Sequence, residues 1–496
     1  MESDKYRPIM VVGTGSHVGK SVIAAALCRA YVRRGLDVAP FKAQNMALNA
    51  GVTPEGGEMG RAQITQAEAA RQVPHVDMNP ILIKPTGQAV SQVIVGGRVL
   101  GVFPAADYYK LKPRLTRRVG AAFRRLQQRH QLIVLEGAGS CAEVNLKKFD
   151  LVNLPLAKRV GAKAILVGDI DAGGVFAQLK GTLDLLTPAE RRLTCGVIVN
   201  KFRGDPMLFE DGIAWLENRT KKPVLGLLPY FDHIRLPQED GVALERGELR
   251  AAAGTVRVGV VRVETISNYT DADALAAEED VEVRWISRPE QLAGLDLLIL
   301  PGTKNTLAAL KGLKQSGLFA AVRSWPGLGG RVLGLCGGYQ LLGRSIADPL
   351  GVEGPPGEAE GLGLLPVKTI MAGDKTTTRT VARAAPDLPF AASGDLTGYE
   401  IHMGQTEMTG ASRPAFYLVS SLGRAMDAPD GQVSADGRVV GTYLHGILDN
   451  DGLRAALLAW MGGRAAPPAD YAAFKDHQYD LLADWLEDRV DVEALL

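Results

Sequence analysis

Cysteine is scarce in this chain: Cys28, Cys141, Cys195 and Cys336 are the only four in 496 residues, and no two form a Cys-x-x-Cys pair. That spacing excludes a disulfide framework and a zinc knuckle, and it predicts a protein of a reducing cytoplasm. No uninterrupted apolar run approaches the ~18 residues a membrane helix needs. The mixed-charge start, Met1-Glu-Ser-Asp-Lys-Tyr-Arg7, leads straight into a strand-like run, so neither secretion nor membrane contact is expected. Charge of one sign is also missing, because a formal net charge of +1 with acids and bases interspersed leaves no electrostatic footprint for nucleic acid. The basic clusters at 114–118 and 124–125 read as solvated helix faces. Internal repeats and long low-complexity tracts are absent as well.

What is present is ordinary globular material, 46% hydrophobic and 22% charged, in a chain too long for one core, so two domains are expected. From residue 8 to about 229, β-branched runs at 9–12, 38–41, 132–135, 164–167, 196–199 and 224–228 alternate with helical patterns. Alternation of this kind predicts a parallel sheet covered by helices. Polar, irregular sequence then marks a boundary, and a second α/β series has strands at 256–263, 281–286, 297–300, 332–335, 416–419 and 439–444. The expected division is 1–235, a linker at 236–254, a second domain at 255–461, and a peripheral helical tail at 462–496.

The most informative stretch is Arg331-Val-Leu-Gly-Leu-Cys336-Gly-Gly-Tyr-Gln-Leu-Leu-Gly343. An apolar strand delivers one cysteine into a Gly-x-Cys-x-Gly turn just where a helix opens, which presents the thiol and favours its thiolate. Cys336 is therefore the candidate nucleophile, and His445, ending the strand pattern before Gly446, is its candidate base. Gly302 and Thr303, in a turn after a strand, together with the Gly337 N–H, are candidate oxyanion and glutamine contacts. Cys28 and Cys195 read as small core residues, while Cys141 stays ambiguous.

A second site is written near the N-terminus. Gly13-Thr14-Gly15-Ser-His-Val18-Gly19-Lys20-Ser21 follows a strand and precedes a helix, as a phosphate loop requires. Its backbone N–H groups would hold ATP, Lys20 would neutralise phosphate oxygens, and Ser21 would ligate Mg2+. Five residues separate Gly13 from Gly19 where the usual loop has four, the spacing of the dethiobiotin synthetase group. Glu136 and Asp169, each ending a strand, are further candidate metal ligands, and Asn200 is placed to meet the nucleotide base. Lys42, Gln44 and Asn45, in Phe41-Lys-Ala-Gln-Asn-Met-Ala-Leu-Asn49, are candidate substrate contacts; a polar capped loop is the competing reading.

The order of these motifs, with Gly168-Asp-Ile-Asp-Ala-Gly-Gly-Val-Phe-Ala177, Asn200-Lys-Phe-Arg-Gly-Asp205, Tyr399-Glu-Ile-His-Met-Gly404 and Tyr443-Leu-His-Gly446, resembles the glutamine-dependent amidotransferases of corrinoid (vitamin B12) biosynthesis over nearly the whole chain. The resemblance implies a dethiobiotin synthetase-like ATPase domain followed by a class I glutaminase-like domain. It also implies ATP- and glutamine-dependent amidation of the b, d, e and g carboxylates of adenosylcobyrinic acid a,c-diamide, with a Cys336–His445 dyad releasing the ammonia. Class I glutaminases commonly carry His-x-Glu, but Ile447 stands two residues after His445, which leaves Asp449 as a substitute orienter. His402 is assigned a structural or interface role. Two other readings remain: an amidotransferase for another polycarboxylate, such as cobyrinic acid a,c-diamide synthase, and a nucleotide-switch protein with a docking-only glutaminase domain. Oligomeric state and the ammonia route are not legible at this level.

Overall fold

Strands buried on both faces must be apolar at consecutive positions, and Ile9–Gly13 shows the consequence. Met10 and Val12 enter the core on one face of the sheet, while Ile9 and Val11 enter the core on the other. A computed structural model of the chain describes residues 5–87, 90–237, 256–263, 265–411, 413–462 and 469–496. In it the N-terminal sheet has six parallel strands in the order Val224–Pro229, Thr194–Phe202, Lys163–Asp169, Ile9–Gly13, Leu132–Glu136, Val38–Phe41. Chain order reverses around Ile9–Gly13, so the loop after it lies at the switch point where open α/β sheets bind ligands.

The second domain is built on Val281–Ile286, Val256–Val261, Leu297–Leu300, Val332–Leu335 and Val439–Thr442, all parallel, with Gln432–Val433 antiparallel at the edge. The strand expected at 416–419 exists as Phe416–Ser421 but belongs to a separate sheet, pairing antiparallel with Val367–Ala384. That sheet also contains Leu396–Met408, the long partner of Val367–Ala384. Another element unforeseen in the sequence is the antiparallel meander Ile81–Gly87, Val90–Val95, Arg98–Pro104, inserted before the long helix Ala105–Arg129.

The two domains are packed against each other. Ala50, Val52, Leu82 and Ile94 of the first share a small core with Ile401 of the second. Beside it, buried Glu58 is ion-paired with Lys84 at 2.6 Å and accepts a hydrogen bond from Lys375 of the second domain at 2.5 Å. Asn49 Oδ1 accepts from the Asn268 N–H at 2.6 Å, and Asn268 Oδ1 accepts from the Ala50 N–H at 2.9 Å.

The tail is helical but not peripheral. Helix Tyr471–Glu487 returns to the first domain and buries Leu482, Ala483 and Leu486 with the helix Lys20–Arg33. Arg29, itself buried, pairs with Asp476 and Asp480 at 2.8 Å each. The expected linker, 236–254, falls almost wholly outside the described residues. Among the described residues no helix is long and apolar enough to cross a membrane.

Candidate active sites

Cys336 sits between the strand Val332–Leu335 and the helix Gly337–Leu342 at φ 51° and ψ −108°, a conformation a non-glycine residue adopts only when its surroundings enforce it. The glycines around it supply that enforcement. A Cβ on Gly338 would lie 1.8 Å from the Leu300 carbonyl oxygen, and one on Gly334 would lie 2.7 Å from the Gly338 oxygen. The Cys336 N–H donates to Thr442 O at 2.8 Å, which ties the elbow to the strand that leads to His445. Sγ lies 3.5 Å from the Ile401 carbonyl oxygen.

His445 is fully buried, with Nδ1 2.6 Å from Asp271 Oδ2, and the Gly446 N–H donates to Asp271 Oδ1 at 2.7 Å. Burial disfavours the imidazolium, but Asp271 and the Cys336 sulfur outweigh it and raise His445 to about 10. With Nδ1 committed to Asp271, Nε2 is left without a hydrogen bond among the described residues. The orienting acid is thus Asp271, in the short turn of 3-10 helix Tyr269–Ala272, and not Asp449. Asp449 closes the turn Ile447–Asp449 with its side chain exposed, and no hydrogen bond joins it to the imidazole.

Gly302 and Thr303 come to the same place: a Cβ on Gly302 would lie 3.1 Å from His445 Cε1, and one on Gly337 would lie 2.7 Å from Thr303 N. The Thr303 hydroxyl is engaged with Thr265 at 2.8 Å, while its methyl group and its backbone N both face Gly337. His402 stacks on Tyr443 with centroids 3.8 Å apart and meets Gly404 O and Glu400.

In the first domain the phosphate loop closes on itself. Lys20 Nζ donates to Gly15 O at 2.6 Å and to Gly139 O at 3.0 Å. Gly19 has φ 100°, and a Cβ there would lie 2.1 Å from Asn200 Nδ2, which donates to Val18 O at 2.9 Å. Asn200 therefore braces the loop. Thr14 donates through its N–H to Val167 O, and its hydroxyl lies 3.2 Å from Gln178.

Glu136 is the centre of this site. Its Oε1 accepts from Ser21 Oγ and Lys42 Nζ at 2.7 Å each, and its Oε2 accepts from Gln66 at 2.6 Å and Gln63 at 3.3 Å. Burial raises its carboxyl, but Lys42 and these donors outweigh that and hold it below the usual carboxylate range. A serine hydroxyl beside an ionised carboxylate next to a phosphate loop is a hard-oxygen pair that fits Mg2+. Asp169 makes no hydrogen bond to Ser21 among the described residues: its Oδ2 takes Lys201 Nζ at 2.6 Å and its Oδ1 accepts the Asp171 N–H at 2.9 Å, so it caps its own turn. Asn45 donates to Gln63 at 2.8 Å, whereas Gln44 accepts from Tyr108 and lines an adjacent cavity of about 280 Å³ with Ser140 and Lys112.

The other thiols lack the elbow's setting. Cys141 is buried with its N–H on Gly13 O, and burial pushes it up to about 12; burial also raises Cys28 and Cys195. Sequence reasoning missed Asp271, Gln63, Gln66 and Arg61, and it singled out the Tyr399 motif without a role for Tyr399; none of the five has a local spacing to the groups it meets.

Residues 9–242 match the family model described as the CobQ/CobB/MinD/ParA nucleotide binding domain, and residues 257–453 match the CobB/CobQ-like glutamine amidotransferase domain. Among curated proteins the chain is 51% identical to the cobyric acid synthase of Syntrophobacter fumaroxidans, over 99% of this chain and 98% of that protein. It is 48% identical to that of Sorangium cellulosum, over 98% and 97%, and 47% identical to that of Citrobacter koseri, over 98% and 97%. Matched in both domains and along nearly its whole length, the chain belongs to the cobyric acid synthase family of glutamine-hydrolysing amidotransferases.

Proposed function

We propose that this glutamine-dependent ligase of cobalamin biosynthesis amidates the b, d, e and g carboxylates of adenosylcobyrinic acid a,c-diamide, using ATP to activate each carboxylate as an acyl phosphate. What carries the reading is the convergence of Cys336, His445 and Asp271 in one domain with that of Lys20, Ser21, Lys42 and Glu136 in the other. An intact thiol–imidazole–carboxylate set also weighs against a docking-only glutaminase domain.

In the glutaminase the Cys336 thiolate attacks the amide carbon of glutamine. The N–H groups of Gly337 and Thr303 would hold the oxyanion, and the His445 imidazolium gives its proton to the departing nitrogen, releasing ammonia. His445, neutral again and fixed by Asp271, then takes a proton from water as it attacks the thioester, and glutamate leaves. In the other domain the acceptor carboxylate oxygen attacks the γ-phosphorus and ADP departs; ammonia adds to the acyl carbon, phosphate leaves, and one proton is lost. Lys20 and the loop amides would stabilise charge on the transferring phosphoryl group, and Lys42 would orient the acceptor. Ser21 and Glu136 would hold Mg2+, which when bound neutralises phosphate charge. We place the reaction in the cytoplasm, in keeping with four unpaired cysteines.

The test is mass spectrometry of adenosylcobyrinic acid a,c-diamide incubated with enzyme and Mg-ATP. Product made from amide-15N glutamine should be heavier than product made from ordinary glutamine by one neutron for each of four amides, and 18O placed in the acceptor carboxylates should appear in phosphate. An unchanged acceptor would contradict the substrate assignment, and 18O absent from phosphate would contradict the acyl phosphate.

A further inference from the structure

One short helix touches both active sites. Arg61–Ala69 presents Gln63 and Gln66 to Glu136 in the phosphate site, with Gln66 Nε2 also 3.4 Å from Ser21 O. Its first residue, Arg61, points the other way. Arg61 Nη2 donates to the Tyr399 hydroxyl at 2.6 Å, and its guanidinium carbon lies 5.7 Å from the Tyr399 ring centroid.

Tyr399 in turn is joined to the catalytic histidine by three contacts. The Tyr399 N–H donates to His445 O at 3.0 Å, the His445 N–H donates to Tyr399 O at 2.9 Å, and the rings stack 5.3 Å apart at 22°. Arg61 and Tyr399 also border a cavity of about 30 Å³ with Asp271, Asp273 and Glu68, on the Asp271 side of the imidazole. Arg61 Nε is buried there without a hydrogen-bond partner among the described residues. A guanidinium from one domain thus reaches the back of the catalytic pair in the other.

The face of the helix that carries Gln63 and Gln66 is loaded in a way that makes it responsive. A carboxylate offers about four lone-pair sites, and Glu136 already accepts from Ser21, Lys42, Gln63 and Gln66. A cation arriving at Glu136 has to replace at least one of these donors, and two of them belong to the Arg61 helix. A packed nine-residue helix transmits such a change as a shift of the whole element rather than absorbing it locally.

We infer that Arg61 is a positioning residue for glutamine hydrolysis: it holds Tyr399 against His445, and its helix makes that hold depend on the state of the phosphate site. The inference rests on the phosphate-site reading above. Glutamine is then hydrolysed fastest when Mg-ATP occupies the other domain, which limits ammonia release in the absence of an activated acceptor.

The test compares wild type with Arg61→Met, Arg61→Lys and Tyr399→Phe in the full chain. Glutaminase kcat and KM are measured with no nucleotide, with Mg-ATP, and with Mg-ATP plus adenosylcobyrinic acid a,c-diamide; ammonium-driven amidation is measured in parallel. Wild type should hydrolyse glutamine faster with Mg-ATP. Arg61→Met should lose that acceleration and about ten- to a hundredfold in kcat, the scale set by loss of one charge-assisted hydrogen bond. Its KM for glutamine and its ammonium-driven amidation should stay within about twofold, as expected for a residue that touches neither substrate. Arg61→Lys should recover part of the loss, and Tyr399→Phe should resemble Arg61→Met. Equal losses of glutamine- and ammonium-driven amidation in Arg61→Met would mean a merely structural role and overturn the inference, as would unchanged acceleration by Mg-ATP. Absence of ammonium-driven amidation in wild type would instead count against the function proposed above, so the two failures are distinguishable.

Discussion

Replacing Asp271 by asparagine exchanges one oxygen for an amide nitrogen and removes the only carboxylate hydrogen-bonded to His445 among the described residues. The contact is 2.6 Å to a fully buried ring, and the same carboxylate also accepts the Gly446 N–H. If the new amide donates to Nδ1, the neutral ring is forced to carry its proton on Nε2, the nitrogen that must take the Cys336 proton. If it accepts instead, the imidazolium loses its buried counter-charge, and His445 falls from about 10 toward or below its ordinary value. Breaking a buried ion pair costs about 3–5 kcal/mol, and each ~1.4 kcal/mol is tenfold in rate. Glutaminase kcat should therefore fall by about two to four orders of magnitude. KM should change far less, because Asp271 reaches glutamine only through His445. Following glutamate release under saturating glutamine measures this directly, and Asp449→Asn, altering an exposed carboxylate without a contact to the imidazole, is the matched control. A kcat for Asp271→Asn within about fivefold of wild type, or an equal loss in Asp449→Asn, would refute the reasoning.

Two further outcomes follow from the geometry. Ser21→Ala removes the hydroxyl on Glu136 and should abolish ATP-dependent amidation at ordinary Mg2+ while the elbow of Cys336 still hydrolyses glutamine; loss of both activities in a folded variant would contradict the separation of sites. Burial and the neighbouring lysines hold Lys375 down near 8 despite Glu58, against about 10.5 in an unfolded chain. Between those values the unfolded state binds more protons, so this residue's contribution to stability rises with pH, by a limit of about 3 kcal/mol. Urea midpoints of wild type should accordingly gain on those of Lys375→Met between pH 8 and 10, and parallel curves would refute the assignment.

Much of the parallel framework was legible because strands buried on both faces leave a local signature: Val38–Phe41, Val281–Ile286, Leu297–Leu300 and Val332–Leu335 lie where the apolar runs end. Phosphate loop and elbow were legible for a related reason, since each is a strand–turn–helix unit whose glycines recur at short spacing, although the groups that crowd Gly19 and Gly338, Asn200 and Leu300, lie far away in sequence. The meander Ile81–Gly87 to Arg98–Pro104 was not, because its outer strand leaves Val99, Leu100 and Val102 exposed and its first carries Lys84 and Pro85, so neither alternates cleanly. Val367–Ala384 was missed because its middle, Gly373-Asp-Lys-Thr-Thr-Thr378, carries no apolar side chain to mark a strand. Asp271 lies 174 residues from His445, and Arg61 lies 338 from Tyr399; contacts of that separation are decided by packing of whole domains and leave no spacing to read. The C-terminal helix was placed at the periphery because nothing in its own pattern states that Asp476 and Asp480 will meet Arg29.

The division of labour between the two domains is tested most directly by supplying both nitrogen sources at once, amide-15N glutamine and unlabelled ammonium, to wild type and to Cys336→Ala with Mg-ATP and adenosylcobyrinic acid a,c-diamide. Wild type should place 15N in the new amides, and Cys336→Ala should form the same amides with unlabelled nitrogen alone. Appearance of 15N in the product of Cys336→Ala, or failure of that variant to use ammonium while still binding ATP, would contradict the account.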